Sequence, residues 1–337
     1  MKLLFKVEGG RSFGMGRVTR SVGLAREICR RQASEIMFLV NDDAVSFANI
    51  RAAGLAVEIA PEKPEEFARM VAQRGYRVVV FDQETEIEPF SRPLRSGSDA
   101  LLIALDCFEM ENDDLHAIVN LLNHSRFGRP VSGSVRYLEG LDYAIIRSEF
   151  DAYIHSEKHI AERARRVLVS FGGADPRGNT LRVLQAMKHA GKRDLSVDVT
   201  VGCNFVNPGL LEEVAAELSF PVLFHRDPRD IEALMHACDL ALTGGGTTLL
   251  EAAALGTPVL VIAQTTSEAR FSKLFEASGS AVSLGLGGEH EGEAIWKSIL
   301  SLLDDQPMRE AMSNAGRKLV DGRGRQRLAA IVLELAT

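Results

Sequence analysis

The stretch DLALTGGGTTLLEAAALGTPVLVI, residues 239–262, leaves this chain the fewest ways to fold. Leu240, Ala241 and Leu242 make an apolar run too short for a helix and bounded by breakers, which predicts a buried strand. Gly244, Gly245 and Gly246 then open a loop, Thr247 and Thr248 offer helix-capping hydroxyls, and residues 249–255 have helical apolar spacing. Gly256 stands where a helix ends, and Pro258 leads into another apolar strand. A strand, a glycine loop and a helix start bring free backbone N–H groups and a positive dipole end to one point. That is a phosphate-sized anion site, open enough for a diphosphate. Glu251, one turn further on, is spaced to accept hydrogen bonds from vicinal hydroxyls such as those of a ribose. Without a ligand the same residues would be a tight turn; three glycines, paired threonines and a glutamate one turn away favour the ligand.

The alternation extends in both directions. Residues 2–7 predict a first strand, followed by a glycine-rich loop to Gly16 and a helix over 17–31. Strands follow at 35–40, 57–59, 77–81, 100–105 and 117–122, with helices at 44–53 and 64–74. Residues 123–138 read as a loop and 142–147 as a last strand. The polar stretch from 148 to 166 reads as a linker, in which His155 and His159 share a helical face but find no third metal ligand. Strands resume at 167–171, 195–201, 222–224, 240–242 and 259–262, with a helix at 179–190, and the tail from 293 to 335 reads as helices alone. Continuous apolar strands alternating with helices predict an α/β fold with parallel sheets. The expectation is two doubly wound Rossmann-like domains, residues 1–150 and 166–337, joined by a linker at 151–165 and facing each other across a cleft. Ligands of such sheets sit beyond the carboxyl ends of the strands, so the loops after Val7, Phe171 and Thr243 should line that cleft.

Composition narrows the function. A net charge of −7 argues against a dedicated nucleic-acid binder. The four cysteines form no CxxC pair, and no secretory segment or bilayer-length apolar run is present. These features predict a cytoplasmic protein with reduced thiols, no bound metal and at most a peripheral contact with membranes.

Other motifs lie where the fold would place a site. Gly14, Gly16 and Arg20 follow the first strand, and Arg20 occupies the third-glycine position of a dinucleotide fingerprint. The two glycines would let substrate approach the backbone, with Arg17 or Arg20 contacting phosphate; a tight turn with exposed arginines is the alternative. Gly172 and Gly173 form a second glycine loop after a strand, again a site for a base or phosphate or simply a turn. Asp82, Asp106 and Glu109 end first-domain strands or follow them, as catalytic carboxylates or as helix caps.

Four segments, MGRVTRSVGLA, DYAIIRSEF, VLVSFGGADP and CDLALTGGGTTLLEAAALGTPVLVI, together resemble the GT-B superfamily. Within it the chain is most similar to the UDP-sugar hydrolases of pseudaminic acid synthesis and the related spore-coat polysaccharide proteins. The matching pieces span residues 9–262. The resemblance implies that Gly244, Gly245, Gly246, Thr247 and Thr248 hold a diphosphate and that Glu251 holds the ribose. Two departures matter. The hydrolases carry a histidine where this chain has Arg17, and a guanidinium cannot serve as the base for an attacking water. After Ile262 the family's Asp-Asn-Gln…Asn stretch is replaced by AQTTSEARFS. The resemblance implies the scaffold and the nucleotide, and a complete nucleotide site without the hydrolytic histidine points to an inverting, metal-independent glycosyltransferase of surface-glycan or nonulosonic-acid biosynthesis. It would take a nucleotide sugar, UDP-linked, and a sugar or glycan acceptor, with no other cofactor. Arg17 would stabilise the leaving diphosphate, Asp82 or Asp106 would deprotonate the acceptor, and residues 123–134 and 264–272 would choose the substrate. The alternatives are a hydrolase releasing UDP and a free diacetamido-trideoxy-hexose, and a protein that binds a nucleotide sugar without turning it over.

Overall fold

The computed structural model describes residues 1–10, 13–106, 112–120, 134–191, 194–202, 205–228, 230–289 and 292–336. The chain divides into two compact units, Met1–Arg147 with Arg323–Thr337, and Ser148–Gly322.

Unit 1 begins β1 (Lys2–Val7), α1 (Gly16–Arg31), β2 (Glu35–Val40), α2 (Ala44–Ala52), β3 (Ala56–Ile59) and α3 (Pro64–Arg74). It continues β4 (Val78–Asp82), α4 (Glu88–Gly97), β5 (Leu101–Leu105), β6 (Ala117–Asn120) and β7 (Arg136–Glu139). The strands form one sheet in the order β3-β2-β1-β4-β5-β6-β7, and every pairing is parallel. The strand period of two divides β1 between two cores. Leu3, Phe5 and Val7 pack with Val18, Leu24 and Ile28 of α1, and Phe5 stacks on Phe38 with ring centroids 5.0 Å apart. Leu4 faces the other way, with Phe67 and Val71 of α3 and Leu94 of α4. Truncating a ring such as that of Phe5, fully buried on the first face, costs about 3–5 kcal/mol.

Unit 2 comprises α5 (Asp151–Ile154), β8 (Arg166–Ser170), α6 (Asn179–Ala186), β9 (Ser196–Val201), α7 (Pro208–Ala216), β10 (Val222–Arg226) and α8 (Ile231–Ala237). Then come β11 (Leu240–Thr243), α9 (Thr247–Leu255), β12 (Val259–Ala263), α10 (Thr266–Ala277), β13 (Val282–Leu286), α11 (Gly292–Asp304) and α12 (Gln306–Leu319). Its sheet runs β10-β9-β8-β11-β12-β13, again parallel throughout. Strand β13 was not expected, because Ser283 and Gly285 interrupt its apolar run.

The last helix, α13 (Gly324–Leu335), belongs to unit 1 rather than to the second half where the sequence reading put it. Leu328, Ala329 and Val332 complete the core beside α1. This corrects a second expectation. Residues 142–147 are not a strand: Leu141–Tyr143 is a short 3-10 turn, and Ala144 and Ile146 are buried. Arg325 donates to the Ile146 carbonyl at 2.7 Å, and a side chain at Gly324 would collide with Ala144. The apolar run reads as a strand because it is buried, but it pairs with no strand among the described residues. The edge strand is β7, within the expected loop, and its half-exposed residues lack an apolar run.

The expected linker is anchored on unit 2. Helix α5 stops at Ile154, so His155 and His159 do not share a helical face. Arg317 donates to the carbonyls of Ile154 (3.0 Å) and Ser156 (2.8 Å), and Lys158 to that of Cys238 (2.6 Å). Arg309, fully buried, donates to Leu302 and Leu303 at the end of α11 (both 2.7 Å) and to Ala161 (2.5 Å). Cations at helix C-termini satisfy carbonyls that the helix leaves open.

Each sheet reverses its winding once, between β1 and β4 in unit 1 and between β8 and β11 in unit 2. Connections leave such a point on opposite sides of the sheet, which opens a crevice at the carboxyl ends of the two strands.

Candidate functional site

Both glycine loops of unit 2 flank its switch point. After β8, Gly172 is glycine for its conformation, with φ +80°, while a Cβ on Gly173 would stand in open space; the close approach falls on Gly202, where a side chain would collide with the Gly173 backbone. Gly172, Gly173 and Ala174 are exposed. After β11 the reason is different. None of Gly244, Gly245 and Gly246 is left-handed, but a Cβ on Gly245 would stand 2.5 Å from the Glu268 carbonyl oxygen. Helix α9 begins at Thr247 with Gly246 as its N-cap and no side-chain cap bond. Thr247 and Thr248 therefore occupy the first two helical positions instead of capping. The backbone N–H groups of Gly246, Thr247 and Thr248 meet no acceptor among the described residues. Glu251 lies one turn into α9 and is 4% exposed, a burial that a carboxylate tolerates only with partners.

Sequence reasoning missed the residues that hold these loops. Gln264, just past β12, donates to Asp175 Oδ1 (2.6 Å), while Arg177 Nε donates to the Gln264 carbonyl (2.6 Å) and its Nη1 to that of Gly287 (3.0 Å). Asp175 accepts from the N–H groups of Asn179 (2.9 Å) and Thr180 (2.7 Å) at the start of α6. The loops after β8, β12 and β13 are thus one hydrogen-bonded assembly. Glu268 supports the β11 loop: its Oε2 accepts from the N–H groups of Gln264 (2.7 Å) and Gly245 (3.2 Å). The available signal was Thr265-x-x-Glu268, a capping-box spacing. Thr265 does cap α10, accepting from the Glu268 N–H at 3.1 Å, but the Glu268 carboxylate reaches the glycine loop as well.

The edge of unit 1 is crowded with charge. Arg20 Nε donates to Asp82 Oδ2 at 2.9 Å, its Nη2 to Asp82 Oδ1 and its Nη1 to Asp106, and Ser21 adds a bond to Asp82 at 2.8 Å. Asp82 is fully buried and Asp106 nearly so. Burial pulls the Arg20 pKa down, but Asp106 and Asp82 outweigh it and hold the guanidinium above its ordinary value. The structure thus places three of the expected site residues, Arg20, Asp82 and Asp106, in one ion-paired cluster. Arg17, in the first turn of α1, pairs with Glu84 (3.1 Å) and bonds the Phe13 carbonyl (3.4 Å). Gly14 is left-handed at φ +74°, with open space where a Cβ would be, and Gly16 is the first residue of α1.

Two further buried charges adjoin this edge. Glu8 accepts from the N–H groups of Glu84 (2.6 Å) and Thr85 (3.1 Å). Lys6 donates to Gln83 Oε1 at 2.7 Å and lies 4.1 Å above the Phe90 ring. Burial lowers its pKa to about 8, partly opposed by Glu8. Glu109 and residues 123–133 of the expected substrate loop lie outside the described residues. Among the described residues, no group of three or more His, Cys, Asp and Glu side chains could hold a metal ion, and no helix is long and apolar enough to cross a membrane.

Two parallel doubly wound sheets, each with a glycine loop at its switch point, define the GT-B class. MurG of Acinetobacter baumannii has the same fold, with a TM-score of 0.71 and 11% identity over 99% of this chain and 100% of that one. HepE of Anabaena, solved in complex with UDP and glucose, gives a TM-score of 0.62 and 13% identity over 98% of this chain and 99% of its own. Residues 155–319 match the family described as Glycosyl transferases group 1. The spore coat polysaccharide biosynthesis protein SpsG of Bacillus subtilis is 26% identical over 97% of this chain and 96% of its own. The chain thus shares the two-unit, doubly wound fold of these structures, and the match to glycosyl transferases group 1 covers most of its second unit.

Proposed function

We propose that this chain is an inverting, metal-independent glycosyltransferase of surface-polysaccharide biosynthesis that draws on a UDP-sugar in the cytoplasm. The observation that carries the reading is the row of open N–H groups on Gly246, Thr247 and Thr248, at a helix start beside the switch point of the sheet. Those donors suit a diphosphate, and they meet the charge that develops on it as the glycosidic bond breaks, where other enzymes use a metal. Gly244 and Gly245 keep the backbone bare for its approach, Gly172 and Gly173 do the same across the crevice, and Glu251 takes the ribose hydroxyls. Resemblance to a spore coat polysaccharide biosynthesis protein over nearly the whole chain supports the polysaccharide context.

In the reaction an acceptor hydroxyl oxygen bonds to the anomeric carbon from the face opposite the nucleotide. The anomeric C–O bond breaks, its electron pair stays with the diphosphate, and the hydroxyl proton passes to a base. Inversion follows from that single displacement. Unit 1 takes the sugar or glycan acceptor.

The test is calorimetric titration with UDP and other nucleotides, followed by product analysis with and without glycan acceptors. UDP binds the wild type and Glu251→Ala weakens it at least about tenfold, the loss of one well-placed charged hydrogen-bond acceptor. Unchanged affinity in Glu251→Ala removes the donor-site assignment. Free sugar and UDP released at full rate without acceptor replace the transferase by the hydrolase.

A further inference from the structure

The β11 glycine loop already holds an anion of the chain's own. Glu268 Oε2 accepts from the N–H groups of Gly245 and Gln264, and Oε1 lies 3.2 Å from where a Cβ on Gly246 would stand. The side chain is half-buried, and its backbone is fixed because Thr265 caps the same turn. A carboxylate is therefore held against the loop, beside the open N–H groups of Gly246, Thr247 and Thr248. The loop offers two anion positions. Glu268 fills one, and its negative charge bears on whatever occupies the other.

We propose that Glu268 is a charge selector in the donor site, favouring the nucleotide sugar over the nucleoside diphosphate left behind after transfer. The inference rests on the reading of residues 244–248 as the diphosphate loop. In the donor the terminal phosphate is a diester to the sugar. Transfer breaks the anomeric C–O bond and leaves a terminal monoester, which gains a further negative charge near neutral pH. Like charges a few ångströms apart in a half-buried site repel strongly. A fixed carboxylate therefore weakens retention of the product more than binding of the donor, and promotes release. Glutamine at the same position keeps an oxygen for both N–H groups and removes the charge.

The experiment compares uridine, UDP and the β-methyl ester of UDP by calorimetry on the wild type and E268Q. The methyl ester keeps the diphosphate and caps its end as a sugar does, so the unknown sugar does not enter. E268Q binds UDP at least about tenfold more tightly than the wild type, gains less for the methyl ester, and leaves uridine within about twofold. Equal gains for UDP and its methyl ester, or no gain for UDP, overturn the selector while leaving the donor site standing. Wild-type protein that binds none of the three overturns the donor-site reading and the selector with it. Thermal melting accompanies each titration. Should E268Q melt early, E268A, which also releases the Gly245 N–H, is read by the same comparison and must move UDP in the same direction.

Discussion

The two switch points use one device and stock it with opposite chemistry. In unit 1 the crevice beside β1 and β4 is filled by charges that satisfy each other: Arg20 with Asp82 and Asp106, Arg17 with Glu84. In unit 2 the crevice beside β8 and β11 is lined by backbone, with three open N–H groups and one nearby carboxylate. The glycines differ accordingly. Gly10 and Gly14 adopt left-handed backbone, whereas Gly245 is ordinary in conformation and glycine because Glu268 leaves no room. A shared reversal of winding thus does not determine which edge receives an anionic ligand. Among the described residues both edges offer open N–H groups, those of Gly16, Arg17 and Val18 at the start of α1 and those of Gly246, Thr247 and Thr248 at that of α9; what differs is the charged side chains beside them.

The largest expected effect breaks the self-satisfied edge. Arg20→Met leaves Asp82 fully buried without its cation, at a cost of about 3–5 kcal/mol, read as an early urea transition of unit 1. A loss below about 1 kcal/mol would show the cluster to be dispensable.

Gly245→Ala attacks the other edge by overpacking, for about 1–3 kcal/mol, and should abolish UDP binding. If UDP affinity survived the extra methyl, the β11 loop would not be the phosphate site.

Lys6 supplies a test by pH. Its folded pKa of about 8 lies below its ordinary value of 10.5, so between those values the unfolded chain binds more protons and stability rises with pH. Denaturant titrations should show a gain of about 1–3 kcal/mol across that window, and Lys6→Met should flatten it. A flat wild-type profile would mean that the ammonium is better solvated than its burial indicates.

The smallest effect sharpens the contrast between the glycines. Gly14→Ala should cost about 1–2 kcal/mol from the left-handed backbone alone, and Gly14→Asn less, with UDP affinity unchanged in both. A loss of UDP binding in Gly14→Asn would bring the unit 1 loop into the donor site.

Much of this was legible in the chain. Periodicity located most strands, because a parallel strand buried on both faces is a bare apolar run, and Gly244–Gly246 followed by Glu251 marked the loop that carries the proposed donor site. Where the reading failed, burial and secondary structure had separated. Residues 142–147 are apolar because α13 covers them, while β7 and β13 are strands without apolar runs. Asp82 and Arg20 each looked available in sequence. Their ion pair spans 62 positions, and no spacing rule reaches that far.

What the sequence determined by itself was local: the alternation of strand and helix, the glycine loops, and hence a doubly wound architecture on each side of a polar join. What only the tertiary structure decided was which polar groups were already satisfied. Asp175, Gln264 and Glu268 are separate marks on the chain, but they meet at the ends of β8, β11 and β12. There each hydrogen bond depends on strand order, which is set by long-range packing rather than by neighbours in sequence.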